Sequence, residues 1–206
     1  KWRGPMGKTI DKSFWKNRKI FITGHTGFKG SWLSLWLANL GANVTGYSDS
    51  LRTSPNLFDQ ADVCKDINSI KGDVRDLTKL LLEIQKTQPE IVIHMAAQSL
   101  VKASLKDPVG TYETNVLGTV NLLEAVKKSP KIHAVIVVTS DKCYKLKNTQ
   151  HHYVETDPLG GDDPYSSSKG CAELVTAAYH HSFLNKPKGT RIATVRAGNV
   201  IGGGDW

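Results

Sequence analysis

An apolar, β-branched run at residues 19–23 (KIFIT) breaks on Gly24-His25-Thr26-Gly27-Phe28-Lys29-Gly30 and passes straight into a helix-like segment. Three glycines at this spacing, between a strand and a helix, leave few folds open. Gly24 permits a tight turn, Gly27 lets a ligand approach the backbone, and Gly30 lets the helix pack closely on the strand. The helix that follows presents free N–H groups and a positive dipole end, where a pyrophosphate is stabilised. A glycine-rich turn alone is a weak signal. With a strand before it and a helix after it, the segment predicts a dinucleotide site built from Gly24, Thr26, Gly27, Phe28, Lys29 and Gly30.

The rest of the chain keeps the same alternation. Further strand candidates are 43–47, 67–71, 90–94, 132–138 and 190–196, with helix-like segments near 29–40, 76–87, 108–128 and 164–184. Leu77, Leu80, Leu81 and Ile84 recur at helical spacing. Gly41 suits a helix C-terminus and Pro108 a helix start. The pattern predicts an α/β fold with a doubly wound parallel sheet of six or seven strands, in the order 3-2-1-4-5-6. Ligands are then expected at the carboxyl ends of the strands, where the order reverses. Residues 1–12 read as a basic tail, 13–206 as one nucleotide-binding domain, and 145–161 as a surface loop beside the site. The run Gly202-Gly203-Gly204-Asp205-Trp206, directly after a strand, reads as truncation. A C-terminal substrate domain is expected to be missing, leaving the fragment weakly active or inactive.

Composition narrows the partners. The formal charge is 27 − 19 = +8, but the Lys and Arg residues are scattered, without the basic block that marks nucleic-acid binding. A basic surface also suits small molecules that carry pyrophosphate. No apolar run approaches the roughly 20 residues that cross a bilayer, and no secretory signal opens the chain. Cys64, Cys143 and Cys171 are odd in number and far apart, which suits a reducing cytoplasm and excludes paired metal spacing.

The spacing G-x-x-G-x-x-G resembles the extended branch of the short-chain dehydrogenase/reductase superfamily, which has a Rossmann fold. The resemblance implies an acid at the end of the second strand to bind the adenosine ribose. Here Ser48 stands at that position, followed by Asp49 and Arg52. An acid favours NAD and an Arg can hold the 2′-phosphate of NADP, so both cofactors stay open. Asp49 and Arg52 are equally readable as polar loop residues. Asp73 and Val74 resemble the family's adenine-binding turn, although Asp73 also suits a turn and Asp76 a helix cap. Ala96, Ala97 and Gln98 end the fourth strand, where small residues let a cofactor lie against the backbone. His94 reads as a packed strand-end residue with no chemistry. Asn115 resembles the helix asparagine that helps anchor the family's active-site Lys, or else is a surface residue.

Tyr165 and Lys169 stand at i and i+4 in Tyr165-Ser166-Ser167-Ser168-Lys169, on one face of a helix. A free Tyr has a pKa of ~10, so ionising it at pH 7 takes about 4 kcal/mol of differential stabilisation. The Lys and an oxidised nicotinamide could each supply roughly 3–4 kcal/mol near 5 Å at an effective dielectric of 20. Tyr165 can then act as base toward a sugar hydroxyl.

Thr139-Ser140-Asp141-Lys142-Cys143-Tyr144 follows the fifth strand. The superfamily that the chain resembles needs only a Ser or Thr here, matched by Ser140, to hydrogen-bond the reacting oxygen; Asp141 and Lys142 add charge beyond what simple oxidation requires. This run resembles the nucleoside-diphosphate-sugar 4,6-dehydratases, where an Asp-Glu pair at this place serves as general acid and base. Lys142 replaces the Glu. Ser-Asp-Lys-Cys-Tyr, with GHTGFKGSW, DPYSSSKGCAELV and VRAGNVIGGGDW, is most similar to the CDP-glucose branch, from about Phe14 to the end. The resemblance implies an NAD-dependent lyase on CDP-glucose, with Ser140, Asp141, Lys142, Tyr165 and Lys169 catalytic and Asn199 touching substrate. A homo-oligomer in the cytoplasm is implied too. Three other readings stay open: a loop ion pair for Asp141-Lys142, a nucleotide-sugar epimerase, and a non-catalytic cofactor-binding scaffold. Asn199 is also readable as a turn residue.

Overall fold

In the computed structural model, which describes residues 10–51, 53–147, 151–187 and 189–205, helix and strand alternate along the chain. The first half runs α1 (Lys12–Trp15), β1 (Lys19–Thr23), α2 (Phe28–Asn39), β2 (Asn43–Ser48), α3 (Leu57–Gln60), β3 (Asn68–Lys71) and α4 (Leu77–Thr87). The second half runs β4 (Ile91–His94), α5 (Val101–Lys106), α6 (Pro108–Tyr112), α7 (Gly118–Lys127), β5 (Ala134–Val138), α8 (Pro164–Tyr179) and β6 (Arg191–Val195). The strands form one parallel sheet in the order β3-β2-β1-β4-β5-β6, as the alternation predicts. Between β1 and β4 the winding reverses, so the crevice at their carboxyl ends is the expected ligand position.

Alternation along β1 builds a core on each side of the sheet. Phe21 points to one face, with Tyr47, Val92 and Val135, under Leu80 and Ile84 of α4 and Leu122 and Leu123 of α7. Ile20 and Ile22 point to the other, with Val44, Ile91 and Ile93, under Leu37 of α2. Each of these fully buried large side chains contributes about 1.5–3 kcal/mol of transfer free energy. The edge strand β6 differs, with its residues alternating between exposed and half-buried. Capping follows the sequence: Gly41, at φ +88°, ends α2, while Asp76 and Asp107 cap α4 and α6.

Several segments depart from expectation or add to it. The short helices α1, α3 and α5 have too few turns for a period to register. Lys12, assigned to the tail, opens α1, and Asp11 accepts from the Ser13 N–H at 2.8 Å. The helix expected at 108–128 is interrupted by a π-helical turn at Glu113–Leu117, and the one at 164–184 ends in another at His180–Leu184. The described residues of the 145–161 segment, 145–147 and 151–161, are irregular but pinned: Tyr144 pairs with Leu159 in an antiparallel bridge and stacks on Tyr153, 4.8 Å between ring centroids. Asp157 accepts from Lys147 at 2.8 Å and pairs with His151 at 2.7 Å.

Candidate active site

At Gly24 and Gly30 the glycine loop is shaped by backbone contacts that leave no room for a side chain. Gly24 has φ +76°, and a Cβ there would stand 2.7 Å from the Ala96 nitrogen. A Cβ on Gly30 would overlap the Gly24 carbonyl oxygen and lie 2.8 Å from the His25 Cα. Gly27 is different: the nearest atom to its Cβ would be the Gly24 oxygen at 3.5 Å, so this glycine guards open space rather than packing. It also caps α2 without a side chain, leaving the first-turn N–H groups of a 12-residue helix facing a cleft of about 840 Å³. An uncapped N-terminus and a clear approach above it fit a pyrophosphate.

The cleft gathers most of the residues the sequence singled out. Thr26, Phe28 and Lys29 line it with Gly24, Gly27 and Gly30. Ser48, Asp49, Asp73 and Val74, after β2 and β3, line it on one side, and Ala96 and Ala97, after β4, line it further along. Thr26 Oγ1 bonds Ser48 Oγ at 2.7 Å and donates to the Ser50 carbonyl at 3.0 Å, fixing the loop after β2. Arg52 lies outside the described residues. Asp73 serves the turn, accepting from the Arg75 N–H at 2.9 Å and pairing with its guanidinium at 2.6 Å, while still reaching the cleft wall.

Ser140, Asp141, Lys142, Tyr165 and Asn199 line the same cleft. Asp163 caps α8, accepting from the Ser166 N–H at 3.0 Å, and so sets the turn that carries Tyr165. Asp141 accepts from Ser140 Oγ at 3.1 Å, and its own N–H donates to the Ala197 carbonyl at 3.0 Å. The Asp141 carboxylate is therefore held by Ser140, not by an ion pair to Lys142.

Three candidate residues stand behind the wall instead of in it. Gln98 turns its side chain to the Leu100 carbonyl and Thr111 Oγ1, both at 3.0 Å, because its amide is needed to close that turn. Asn115 is buried, which removes the surface reading. It accepts from the Gln98 N–H at 2.8 Å and donates to the Gln98 carbonyl at 2.9 Å and to Ser168 Oγ at 2.8 Å. Its support thus reaches Ser168, the neighbour of Lys169. The Lys169 ammonium donates to the Val138 carbonyl at 3.3 Å rather than to the Tyr165 phenol. Burial, helped by the charge of Lys29, pulls Lys169 down to about 8, so it remains mostly charged at neutral pH. Burial pushes the Tyr165 phenol up, against a hydrogen bond with Ser140, and Asp141 and Asp163 push it further. By itself the chain keeps Tyr165 protonated, and the lowering argued from charge needs the cofactor's charge as well.

His94 is a packed residue, as expected. Its ring bonds Thr23 Oγ1 at 2.7 Å and Thr119 Oγ1 at 3.2 Å, and burial beside Lys169 pulls it down to about 3. The sequence reading missed Glu173, buried behind Thr139, and its half-buried partner Arg196. The available signal was spacing, since Glu173 follows Lys169 at the same i+4 interval that joins Lys169 to Tyr165.

The family described as GDP-mannose 4,6 dehydratase matches residues 21–188. The chain belongs to this family. It is 54% identical over 201 residues to the CDP-glucose 4,6-dehydratase of Salmonella typhimurium, covering 96% of this chain and 56% of that protein. Identity to the dTDP-glucose 4,6-dehydratase of Xanthomonas campestris pv. campestris is 29% over 194 residues, covering 88% and 53%. Among solved structures, a dTDP-glucose 4,6-dehydratase from Bacillus anthracis in complex with NAD is similar at a TM-score of 0.76 and 25% identity, covering 92% and 57%. The chain therefore spans about half the length of the curated relatives it matches. Among the described residues, no helix is long and apolar enough to cross a membrane, and no cluster of three or more His, Cys, Asp or Glu could hold a metal.

Proposed function

We propose that the protein carrying this chain converts CDP-glucose to CDP-4-keto-6-deoxyglucose, with NAD as its resident cofactor. The observation that carries this reading is the sharing of one cleft by Tyr165 and the Asp141-Lys142 pair, three ionisable groups where oxidation alone needs one. The 54% identity to a CDP-glucose 4,6-dehydratase supports the same substrate. Asp49 beside Ser48 favours NAD over NADP, since a carboxylate repels a 2′-phosphate. The relative with NAD bound agrees with that choice.

When bound, the nicotinamide supplies reversible hydride transfer, out at C4 and back at C6. Tyr165, hydrogen-bonded with Ser140, takes the proton of the 4-hydroxyl, and Lys169 adds positive charge beneath the site. A ketone at C4 acidifies the hydrogen at C5. Asp141 donates a proton to the departing 6-hydroxyl, and Lys142 serves C5 as base or electrostatic stabiliser. Asn199, in the same wall, contacts the sugar nucleotide. An epimerase would need none of the Asp141-Lys142 chemistry. Self-association and a cytoplasmic role in deoxysugar biosynthesis belong to the same reading.

The test is a single turnover with CDP-glucose in the complete protein. Tyr165→Phe should abolish all chemistry. Asp141→Asn should leave the first oxidation in place and slow water loss by about 10²–10⁴-fold, so reduced-nicotinamide absorbance accumulates. Lys142→Met should behave similarly if Lys142 acts at C5. Full dehydration rates in both Asp141→Asn and Lys142→Met would remove the elimination roles.

A further inference from the structure

Helix α8 carries an acidic side chain, Glu173, one turn beyond Lys169. Glu173 is 5% exposed, and Arg196 grips both its oxygens, Nε to Oε1 at 3.0 Å and Nη2 to Oε2 at 2.9 Å. Thr194 Oγ1 donates to Oε2 at 2.8 Å, and Thr139 Oγ1 donates to Oε1. The ends of β5 and β6 and the middle of α8 thus meet on one carboxylate. Burial pushes Glu173 up, but the bonds from Arg196, Thr139 and Thr194 outweigh it and keep the group ionised. Arg196 also donates to the Glu155 carbonyl at 3.1 Å and lies over the Tyr144 ring, 4.8 Å from its centroid.

Neither Glu173 nor Arg196 lines the cleft, yet each adjoins a residue that does. Thr139 precedes Ser140 and Asp141. Ala197, next to Arg196, accepts the Asp141 N–H at 3.0 Å, and a Cβ on Gly198 would stand 3.3 Å from Asp141 Oδ2. An ion pair with one partner buried and the other half-buried adds little net stability over apolar packing, so its worth here lies in geometry. We propose that the Glu173–Arg196 pair is a positioning unit for elimination. It fixes the 139–142 segment against the 196–199 segment, so that the Asp141 carboxyl faces the cleft at a set height. The turn that carries Tyr165 has its own anchors in Asp163 and Ser168, and Lys169 its own in the Val138 carbonyl, so oxidation depends on the pair less than elimination does; its tie to the unit is the bond between Tyr165 and Ser140. The proposal rests on the dehydratase reading of the same cleft.

Two measurements on the complete protein test it. In a single turnover, Glu173→Gln should oxidise substrate within about threefold of wild type but lose water about tenfold more slowly. In an Asp141→Asn background it should add less than about twofold, because it acts through Asp141. In the cofactor-free protein, the Asp141 amide should exchange hydrogen about tenfold faster in Glu173→Gln, with the Met95 amide unchanged. Arg196→Lys, which keeps the charge and loses the fork, should behave as Glu173→Gln does. Equal slowing of both steps, additivity with Asp141→Asn, or unchanged exchange at Asp141 would each overturn the proposal. If Glu173→Gln does not fold, Thr194→Val keeps the fork and should give the same selective exchange, about threefold; no change there overturns it as well. Failure of the wild-type protein to dehydrate CDP-glucose would instead sink the dehydratase reading, and the exchange experiment would still decide the positioning role.

Discussion

The Lys169 ammonium donates to the main-chain carbonyl of Val138, 3.3 Å away, the last residue of β5. A helix side chain thereby takes up the backbone group that the sheet leaves unpaired at its carboxyl end. It does so at the cost of holding a charge out of water.

That cost predicts a pH dependence. Lys169 falls from 10.5 in the open chain to about 8 in the fold, so the folded state binds fewer protons between those values. A depressed pKa contributes stability that is fully present above the unfolded value and lost as pH falls through the folded one. Between pH 8 and 10, urea denaturation of the cofactor-free chain should show wild type gaining about 2 kcal/mol relative to Lys169→Met. A constant difference would mean that Lys169 titrates normally.

Two buried histidines predict the opposite end of the range. His94 is pulled down to about 3 and His25 to about 4, both first by burial. Their stabilisation is complete above the ordinary pKa of 6.5 and is lost as pH falls toward the folded values. Lowering the pH from 6.5 to 5 should cost about 3 kcal/mol in urea denaturation, before the carboxylates titrate. Proton NMR should find both rings neutral at pH 5; titration of either near 6.5 would contradict the burial argument.

The glycine loop separates folding from binding. Gly30→Ala meets backbone on two sides and should destabilise the chain by about 3 kcal/mol in thermal or urea melts. Gly27→Ala has room, with its nearest contact at 3.5 Å, and should melt almost as wild type. It should nevertheless weaken NAD(H) binding by about tenfold, since the methyl occupies the approach to the helix N-terminus. In the same titrations NAD(H) should bind wild type more tightly than NADP(H).

Where local spacing carries the information, the sequence was sufficient. The strand order followed from short apolar runs alternating with helical periods, and the loop from Gly24, Gly27 and Gly30. Where the determinant is the meeting of distant segments, it was not. Glu173 and Arg196 are 23 residues apart and follow no common period, so their fork is visible only once α8 lies against β6. The direction of the Tyr165 shift was hidden for a related reason. Spacing reveals the Lys169 neighbour, whereas desolvation depends on everything packed around the phenol. Asn115 was ambiguous because helical spacing assigns a face only while the helix stays regular.

Asn115→Ala would leave the Gln98 main chain and Ser168 without their partner. It should lower stability by about 2–3 kcal/mol, read as a fall in the urea midpoint. A neutral result would mean that water replaces the amide.

The π-helical turn at Glu113–Leu117, closed by the Gly118 N–H on the Glu113 carbonyl, holds one residue more than an α-turn of the same rise. Residues on its two sides therefore keep separate angular registers, and α6 and α7 do not share one stripe. Shortening the chain there by a single residue would let the helix rewind as one continuous rod. Every side chain beyond the deletion would then swing by about 100°, the angle of one helical step. Either the apolar stripe of α7 or the amide of Asn115 could face inward, but not both. The surplus residue works as a coupling between two shafts: the core sets the phase of one, the cleft the phase of the other.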